Sequence, residues 1–196
     1  MCLLLLLIFI IPPSIQTDER KLLAHLLKGN SPFARPVFDT KKSVNVTFGY
    51  EMVHIVRIVE TEQMITGKVW IRMSWTNEYM TWDPSKWGGV TVTRMDQSKV
   101  WTPDIFMQED VSGDMASGPE RYRTLVKMFS NGLHSWMVPA LLHASCSFDV
   151  YNFPFDKQRC MMIFTPWTHD MSEVNMTISK VSRVKIAFIQ TYYVIL

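Results

Sequence analysis

Alternation of apolar and polar residues dominates the chain from Ser43 onward. Residues 44–48 place Val and Phe at every second position with Asn and Thr between them, and residues 69–75 continue the pattern with Val, Ile, Met and Trp. Strand side chains point alternately to the two faces of a sheet, so a period of two predicts half-buried strands. Further strand-like runs cover residues 122–128, 132–138, 144–150, 158–164 and 174–178.

Turn signals separate these runs. Clusters of Asp, Pro, Ser, Gln and Gly lie at residues 83–89, 96–98 and 112–114. Such clusters are typical of the short connections between strands. Many short strands with turns at near-regular spacing predict an antiparallel sheet structure.

A helical pattern lies near the N-terminus. Asp18 and Glu19 stand where acidic residues favour a first helical turn, and Gly29 stands where a helix would end. Between them the apolar positions follow helical spacing: Leu22, Leu23, Leu26 and Leu27. The predicted fold class is therefore all-β, an antiparallel β-sandwich with a short N-terminal α-helix.

An immunoglobulin domain has the same general appearance. Its disulfide joins distant strands of the two sheets, with a Trp between the two cysteines in sequence. Here Cys146 and Cys160 have only thirteen residues between them and can close only a local loop. We therefore reject the immunoglobulin interpretation.

The chain begins with an apolar run, residues 2–11. A run of about ten residues is too short to span a bilayer but fits the hydrophobic part of a secretory signal peptide. We expect residues 1–17 to be this signal peptide; a cytosolic chain with an apolar tail is the alternative. Cleavage removes Cys2 and leaves Cys146 and Cys160, which should form a disulfide in an oxidising compartment.

Two N-x-T sequons agree with secretion. They begin at Asn45 and at Asn175, and both are candidate glycosylation sites. Either tripeptide alone is common by chance, so the agreement with a leader peptide matters more than either sequon.

Composition narrows the function classes. Of the 196 residues, 47% are hydrophobic and 12% aromatic, as in packed globular proteins. The net charge of +2, with scattered Lys and Arg, does not favour nucleic-acid binding. The five histidines lack metal-site spacing, and no hydrolase, zinc-protease or phosphate-loop motif is present. We expect no enzymatic activity, no metal and no cofactor.

The segment CSFDVYNFPFDKQRC, from Cys146 to Cys160, resembles the signature loop of the pentameric ligand-gated ion channels, the Cys-loop receptors. Its FPFD core is more similar to the nicotinic branch than to the glycine or GABA branches. Three further stretches resemble the family in the same order: KVWIRMSWTNEYMTWDPSKWGG, VWTPDIFMQED and FTPWTHD. Four ordered motifs identify the chain as similar to a nicotinic-type extracellular domain.

This resemblance runs from about Leu22 to about Ile178. It implies the nicotinic ligand-binding-domain topology for residues 18–190, in a truncated form because the family's later agonist-site hairpin is not visible. Residues 191–196 resemble the start of the family's first membrane helix. In the bridged loop, the resemblance implies that the FPFD residues couple the domain to the pore: Phe153, Pro154, Phe155 and Asp156.

The resemblance also implies a ligand site between neighbouring subunits. Aromatic faces attract a small amine cation at about 0.5–2 kcal/mol each, without the desolvation cost of a carboxylate. Trp167 would supply the principal face and Trp70 the complementary face, with Arg72 disfavouring a cation close to it. Gln108 stands where the family has a Tyr, and Met137 lies near the site, although an ordinary strand position explains Met137 equally well.

The other tryptophans are better explained as structural. Trp75 shares its strand face with apolar residues, whereas Trp70 shares the opposite face with Arg72 and Ser74. An exposed Trp on a polar face needs a functional reason. We expect core or structural positions for Trp75, Trp82, Trp87 and Trp101. By the resemblance Trp136 lies near the site, although an ordinary strand position explains it equally well.

The functional hypothesis is the extracellular domain of a nicotinic-like cation channel subunit. It would bind an acetylcholine-like amine between the subunits of a pentamer and couple binding to pore opening. The expected location is the secretory pathway and the outer face of the plasma membrane, with membrane contact only through C-terminal segments that this sequence lacks. The alternative is a secreted ligand buffer similar to acetylcholine-binding protein, or a non-functional truncated subunit.

Overall fold

The computed structural model describes residues 18–112, 123–151, 153, 155, 158, 160–179 and 192–193. Within these ranges the regular elements are, in chain order, α1 Asp18–Leu27, β1 Val44–Val59, β2 Met64–Thr76, β3 Val92–Asp96, β4 Ile105–Met107, β5 Leu125–Phe129, β6 Leu133–Ser145, β7 Ile163–Pro166, β8 Val174–Ile178 and β9 Tyr192–Tyr193. Short 3-10 helices cover Glu60–Glu62, Pro84–Lys86 and Gln97–Lys99.

The strands form two sheets. One has six strands in the order β3-β5-β6-β2-β1-β8, and the other has three in the order β4-β7-β9. Phe164 of the smaller sheet packs on Phe48 and Tyr50 of the larger one, with ring centroids 4.9 and 5.6 Å apart. The two sheets therefore face each other across an apolar layer, which confirms the predicted β-sandwich with its N-terminal helix.

One strand pair departs from antiparallel order. β8 runs parallel to β1, with Val44 opposite Val174 and Phe48 opposite Ile178. β8 follows β7, which lies in the other sheet, so it reaches β1 by a crossover and not by a hairpin. A crossover is the connection that parallel strands require.

The alternation of apolar and polar residues along each strand determines which side chains form the core. On β2 the inward residues Val69, Ile71 and Met73 are almost fully buried, as predicted. Trp75 is also buried and meets Trp101 edge to face at 5.9 Å. Trp82 and Trp101 are buried, and Trp87 packs against the core with partial exposure, so these positions agree with a structural role.

The strand β6 is longer than the sequence pattern predicted. Residues 132–138 and 144–150 were expected to be separate strands, but one strand runs from Leu133 to Ser145. Pro139 lies inside it, although it has no N–H to donate. The backbone N–H of Ser145 points away from β2 and donates to the carbonyl oxygen of Glu109. Every second residue of β6 has this orientation, and Pro139, six positions before Ser145, is one of them. The nitrogen of Pro139 therefore faces away from β2, and the pairing of β6 with β2 loses no hydrogen bond.

The disulfide loop shifts two other strand boundaries. The run 144–150 leaves the sheet after Ser145, and the run 158–164 becomes a strand only at Ile163. The side-chain amide of Gln158 instead bonds to the backbone of Asp149: its oxygen accepts from the Asp149 N–H, and its nitrogen donates to the Asp149 carbonyl oxygen. In the run 122–128, β5 begins at Leu125, and Tyr122 lies outside the described residues.

The helix α1 agrees with its pattern. Leu22 and Leu26 are buried against the larger sheet's end, and His25 stacks on Trp87 at 5.2 Å. Two of the predicted turns are also present: Asp83 caps the 3-10 helix Pro84–Lys86, and residues 96–98 lead into the 3-10 helix Gln97–Lys99. The third, at 112–114, lies mostly outside the described residues.

Three other predicted segments fall on residues that the structure does not describe. They are the signal peptide at 1–17, the C-terminal residues of the domain after Ser179, and most of the stretch 191–196. Among the described residues, no helix has both the length and the apolar character needed to cross a membrane.

Candidate ligand-binding site

Trp167 stands exposed at the end of β7. Its side chain is 67% exposed, and its ring lies 5.0 Å from the ring of Phe106 on β4. The backbone N–H of Trp167 donates to the carbonyl oxygen of Asp104 at 3.0 Å. The residues of the W-x-P-D stretch and of β4 therefore hold an outward-facing indole ring in place.

The carboxylate of Asp104 fixes the residues after Trp167. One of its oxygens accepts hydrogen bonds from the backbone N–H of Thr168, at 2.7 Å, and from the Thr168 hydroxyl. Its other oxygen lies 3.1 Å from Nδ1 of His169. The ring of His169 in turn meets Trp101 edge to face at 6.2 Å.

Electrostatics keep this carboxylate charged. Burial alone would raise the pKa of Asp104, but the hydrogen bonds from Thr168 and His169 outweigh burial and hold it below the ordinary value of 3.8. A charged acceptor makes stronger hydrogen bonds than a neutral one. Asp104 therefore positions the loop that carries Trp167 throughout the neutral pH range.

Gln108 directly follows β4, two residues after Phe106. Its backbone N–H donates to Ile163, which places it four positions from the Asp104–Trp167 pairing. At about 3.3 Å per residue this offset is about 13 Å. Gln108 is exposed, and the ring that packs on Trp167 is that of Phe106.

The second set of predicted residues lies on the larger sheet. Trp70 and Arg72 both project from the non-core face of β2, and Trp70 is 42% exposed. The guanidinium carbon of Arg72 lies 5.9 Å from the centroid of the Trp70 ring. Arg72 also donates to Oε2 of Glu51 on β1 at 2.7 Å. The carboxylate of Glu51 therefore partly neutralises the positive charge of Arg72, which the sequence analysis expected to disfavour a cation on this face.

Met137 belongs to the same face. It is the cross-strand partner of Arg72 on β6, and its side chain is 55% exposed. Its neighbour Trp136 points inward, is buried, and donates its indole N–H to the hydroxyl of Thr124 at 2.7 Å. The structure thus brings Trp70, Arg72 and Met137 together on one surface.

Trp167 and Trp70 lie on opposite outer faces of the sandwich. Trp167 is on the outer side of the three-stranded sheet, and Trp70 is on the outer side of the six-stranded sheet. One ligand molecule cannot contact both rings of the same chain, because the apolar core separates them. The two faces can meet only where two chains pack side by side.

The predicted disulfide is present. Cys146 and Cys160 are bonded, with their Cα atoms 4.9 Å apart. Phe153 and Phe155 within the loop are 73% and 89% exposed. Pro154 and Asp156, the other two residues assigned to coupling, lie outside the described residues.

Gln63 holds this loop to the tip of the β1–β2 hairpin. The backbone N–H of Cys146 donates to the carbonyl oxygen of Gln63, and that of Phe148 donates to its side-chain oxygen, both at 2.7 Å. Gln63 itself adopts a left-handed conformation, with φ of 51°. A single residue thus joins the hairpin to the disulfide loop.

A cleft of about 530 Å³ opens beside the Trp167 loop. It is lined by residues of β7, β8 and the connection between them, including Phe164, His169, Asp170 and Met176. It carries none of the exposed aromatic rings described above. Across the described part of the chain, no group of three or more His, Cys, Asp or Glu side chains is arranged to hold a metal ion.

Sequence reasoning missed several residues of these surfaces: Glu51, Gln63, Phe106, Thr168 and His169. Phe106 and Thr168 could have been found, because both lie inside motifs that the sequence analysis singled out. Glu51 and Gln63 could not, since their roles depend on strand register and turn geometry.

The comparison with known proteins agrees with this architecture. The profile of the family described as neurotransmitter-gated ion-channel ligand binding domain matches residues 19–193. The neuronal acetylcholine receptor subunit alpha-2 of Homo sapiens is 35% identical over 161 residues, which is 82% of this chain and 30% of that protein.

Two other relatives give the same result. The neuronal acetylcholine receptor subunit beta-3 of Gallus gallus is 34% identical over 163 residues, covering 83% of this chain and 35% of that protein. The acetylcholine receptor subunit beta-like 1 of Drosophila melanogaster is 33% identical over 178 residues, covering 91% of this chain and 34% of that protein. The chain spans about a third of the length of the curated relatives it matches.

These relatives are receptor subunits and not enzymes. The family profile covers the helix, both sheets, the disulfide loop and the Trp167 loop. The chain is similar to acetylcholine receptor subunits over most of its length, and it belongs to the family of neurotransmitter-gated ion-channel ligand-binding domains.

Proposed function

We propose that this chain is the extracellular part of a nicotinic-like cation channel subunit that binds a small amine between subunits. Residues 1–17 serve as its leader and residues 18–190 form the ligand-binding domain. Tyr192 and Tyr193 pair with β7 as the strand β9, so a first membrane helix cannot begin at residue 191 as the resemblance implied. The domain works at the outer face of the plasma membrane after passing through the secretory pathway. Its partners are other receptor subunits in a pentamer and an acetylcholine-like ligand.

The observation that carries this proposal is the pair of exposed tryptophans on opposite faces of one sandwich. A ring of identical or related domains places one face of each chain against the other face of its neighbour. Trp167 of one chain and Trp70 of the next then approach the same space. Two indole faces attract an amine cation without burying a carboxylate, so a small amine is the ligand that this arrangement favours.

The face that carries Trp167 has fewer of the family's aromatic side chains than its role requires, whereas the face that carries Trp70 retains its tryptophan. Gln108 supplies an amide where the family has an aromatic side chain, and among the described residues the aromatic ring that packs on Trp167 is that of Phe106. The other face has Trp70, with Arg72 and Glu51 paired beside it. We infer that the chain contributes a complementary face to an α-type neighbour and does not form a functional homopentamer.

Coupling to a pore runs through the loop closed by Cys146 and Cys160. Phe153 and Phe155 expose most of their surface, and two such rings in water need a partner surface. This exposure favours a channel subunit over the soluble ligand-buffer alternative. Agonist binding shifts the population toward the open state, because that state binds the agonist more tightly.

The experiment is binding of a labelled cholinergic ligand to this chain co-expressed with an α-type subunit. Because this chain supplies the complementary face, Trp70→Ala should weaken binding by about 1–3 kcal/mol, roughly ten- to a hundredfold, and Trp70→Phe by less. Trp167→Ala should weaken binding less than Trp70→Ala does. Phe33→Ala is the matched control, because Phe33 is 94% exposed and lies in the connection between α1 and β1, outside both sheets. Saturable binding by the chain expressed alone, or equal affinities for all folded variants, would contradict the proposal.

A further inference from the structure

The two N-x-T sequons lie side by side in the folded protein. The parallel register of β1 and β8 places Asn45 opposite Asn175 and Thr47 opposite Thr177. Neighbouring strands are about 4.8 Å apart, so the acceptor asparagines are as close as two strand residues can be. Two tripeptides that are 130 residues apart in sequence thus form one surface patch.

The two asparagines play different parts within this patch. Nδ2 of Asn175 donates a hydrogen bond to Oδ1 of Asn45 at 3.0 Å. In this bond Asn45 uses only its oxygen, whereas Asn175 uses the nitrogen to which a glycan would be attached. Asn45 is also exposed, while Asn175 is partly buried.

We propose that the paired sequons form a single N-glycan site, occupied at Asn45 and vacant at Asn175. In the reaction, Nδ2 of Asn45 attacks the anomeric carbon of a lipid-linked oligosaccharide diphosphate. A carbon–nitrogen bond forms as the carbon–oxygen bond to the diphosphate breaks, and Nδ2 loses one proton to a base of the transferring enzyme. The product keeps Oδ1 of Asn45, so it still accepts the hydrogen bond from Asn175.

A second glycan does not fit the pair. Attachment to Asn175 would replace one of the two hydrogens on the nitrogen that donates to Asn45. It would also set two sugar rings side by side at the strand spacing of about 4.8 Å, which is no wider than a pyranose ring. β8 is an edge strand of five residues, so crowding at Asn175 competes directly with its pairing to β1.

The glycan also marks a limit of the face that carries Trp70. Asn45 and Glu51 are six positions apart on β1, an even number, and therefore project from the same side of the strand. At about 3.3 Å per residue, the glycan is attached about 20 Å from Glu51 along the strand. A neighbouring chain that covers Trp70 and Glu51 must end short of Asn45.

The test uses the full chain expressed in eukaryotic secretory cells, with the folded fraction isolated by size-exclusion chromatography. Glycans are released with an amidase that leaves Asp in place of a glycosylated Asn, and the peptides are then identified by mass spectrometry. Wild type should carry one glycan, located at Asn45. Asn45→Gln and Thr47→Ala should lose it, whereas Asn175→Gln and Thr177→Ala should retain it.

Thr47→Ser is the matched control, because it keeps the sequon and should keep the glycan. The Thr variants leave both asparagines in place, so their result does not depend on losing the Asn45–Asn175 hydrogen bond. Two glycans in the folded fraction, a glycan at Asn175, or no glycan at all would each overturn the proposal.

Discussion

Arg72 lies over the ring of Trp70, with its guanidinium carbon 5.9 Å from the ring centroid. The same guanidinium is bonded to Glu51 at 2.7 Å. Trp70 therefore already holds a cation from its own chain. An amine ligand that uses this ring must either displace Arg72 or approach the other side of the indole.

Replacing Arg72 should strengthen amine binding. Arg72→Gln removes the competing cation and leaves Glu51 charged, so affinity for a quaternary amine should rise by about 1 kcal/mol, roughly fivefold. Arg72→Lys, which retains the charge, should change affinity less. Glu51→Gln should act in the opposite direction, because it leaves Arg72 without its counter-charge.

These affinities are measured by equilibrium binding to the co-expressed pentamer. Arg94→Gln is the matched control, since Arg94 is an exposed arginine on β3, away from Trp70. Unchanged affinity in Arg72→Gln would show that Arg72 does not compete for the ring.

The bond network of Asp104 should contribute to stability. Asp104→Asn weakens the bonds to Thr168 and should lower the free energy of unfolding by about 1–2 kcal/mol. Thr168→Val removes the same hydroxyl bond, so the double variant should lose less than the sum of the single losses. Urea denaturation monitored by tryptophan fluorescence gives all three values; simple additivity would rule out the coupling.

The Asp104 contribution should also depend on pH in a defined direction. Its pKa is lowered in the folded protein, because the Thr168 and His169 bonds outweigh burial. The stability that it adds is therefore present above its ordinary value of 3.8 and is lost as the pH falls through the lower folded pKa. Wild type and Asp104→Asn should converge in stability over that acidic range, and a constant difference would contradict this assignment.

The disulfide should stabilise the fold through its short loop. A bridge between positions 14 apart, such as Cys146–Cys160, contributes about 3 kcal/mol on a chain-entropy estimate. Cys146→Ser, Cys160→Ser and the double variant should lose similar amounts and should fail to reach the cell surface. Surface labelling and thiol mass spectrometry check this, and two free thiols in native, non-reduced wild type would exclude the bridge.

His134 should make the protein less stable in mild acid. Its side chain is fully buried beside Trp75, and burial lowers its pKa more than the bond to Gly132 raises it. Because the pKa of His134 is lower in the folded protein, the unfolded chain binds the proton more readily. The protein therefore keeps its full stability at pH values above 6.5, the ordinary pKa, and loses stability as the pH decreases from there. His134→Phe should flatten this dependence between about pH 7 and about pH 5.

The exposed His54 on β1 provides the control for this measurement. His54→Phe makes the same replacement at an exposed histidine, so it shows how much a His-to-Phe change alone alters the slope of unfolding free energy against pH. An identical slope in wild type and in His134→Phe would show that another group titrates instead.

Local patterns predicted the local structure well. The alternation of apolar residues predicted β8 with its observed bounds, Val174–Ile178, and the leucine spacing predicted a short helix where α1 lies. Both depend only on which side chains of one element face the core. The strand β6 was predicted as two separate runs, and only its register against β2 shows why Pro139 is tolerated inside one continuous strand.

Contacts across strands could not be predicted in the same way. The exposure of Trp70 followed from the polarity of its strand face, but its cover by Arg72 and the pairing with Glu51 require the register of β1 and β2. Likewise, the motif containing Trp167 was recognised, yet Phe106 meets that ring only because β4 pairs with β7. A single sequence carries no direct record of such pairings.

The parallel pairing of β1 with β8 also orders the folding of the chain in time. Asn45 and its partner on β8 are 130 residues apart, so the ribosome must synthesise that length before the strand β1 gains its second neighbour. At about 5–20 residues per second, this delay is roughly 6 to 26 s. During that interval one edge of β1 has unsatisfied backbone groups and can pair with other chains. Early binding by a chaperone, or a bulky group attached to β1, would protect the nascent chain from aggregation.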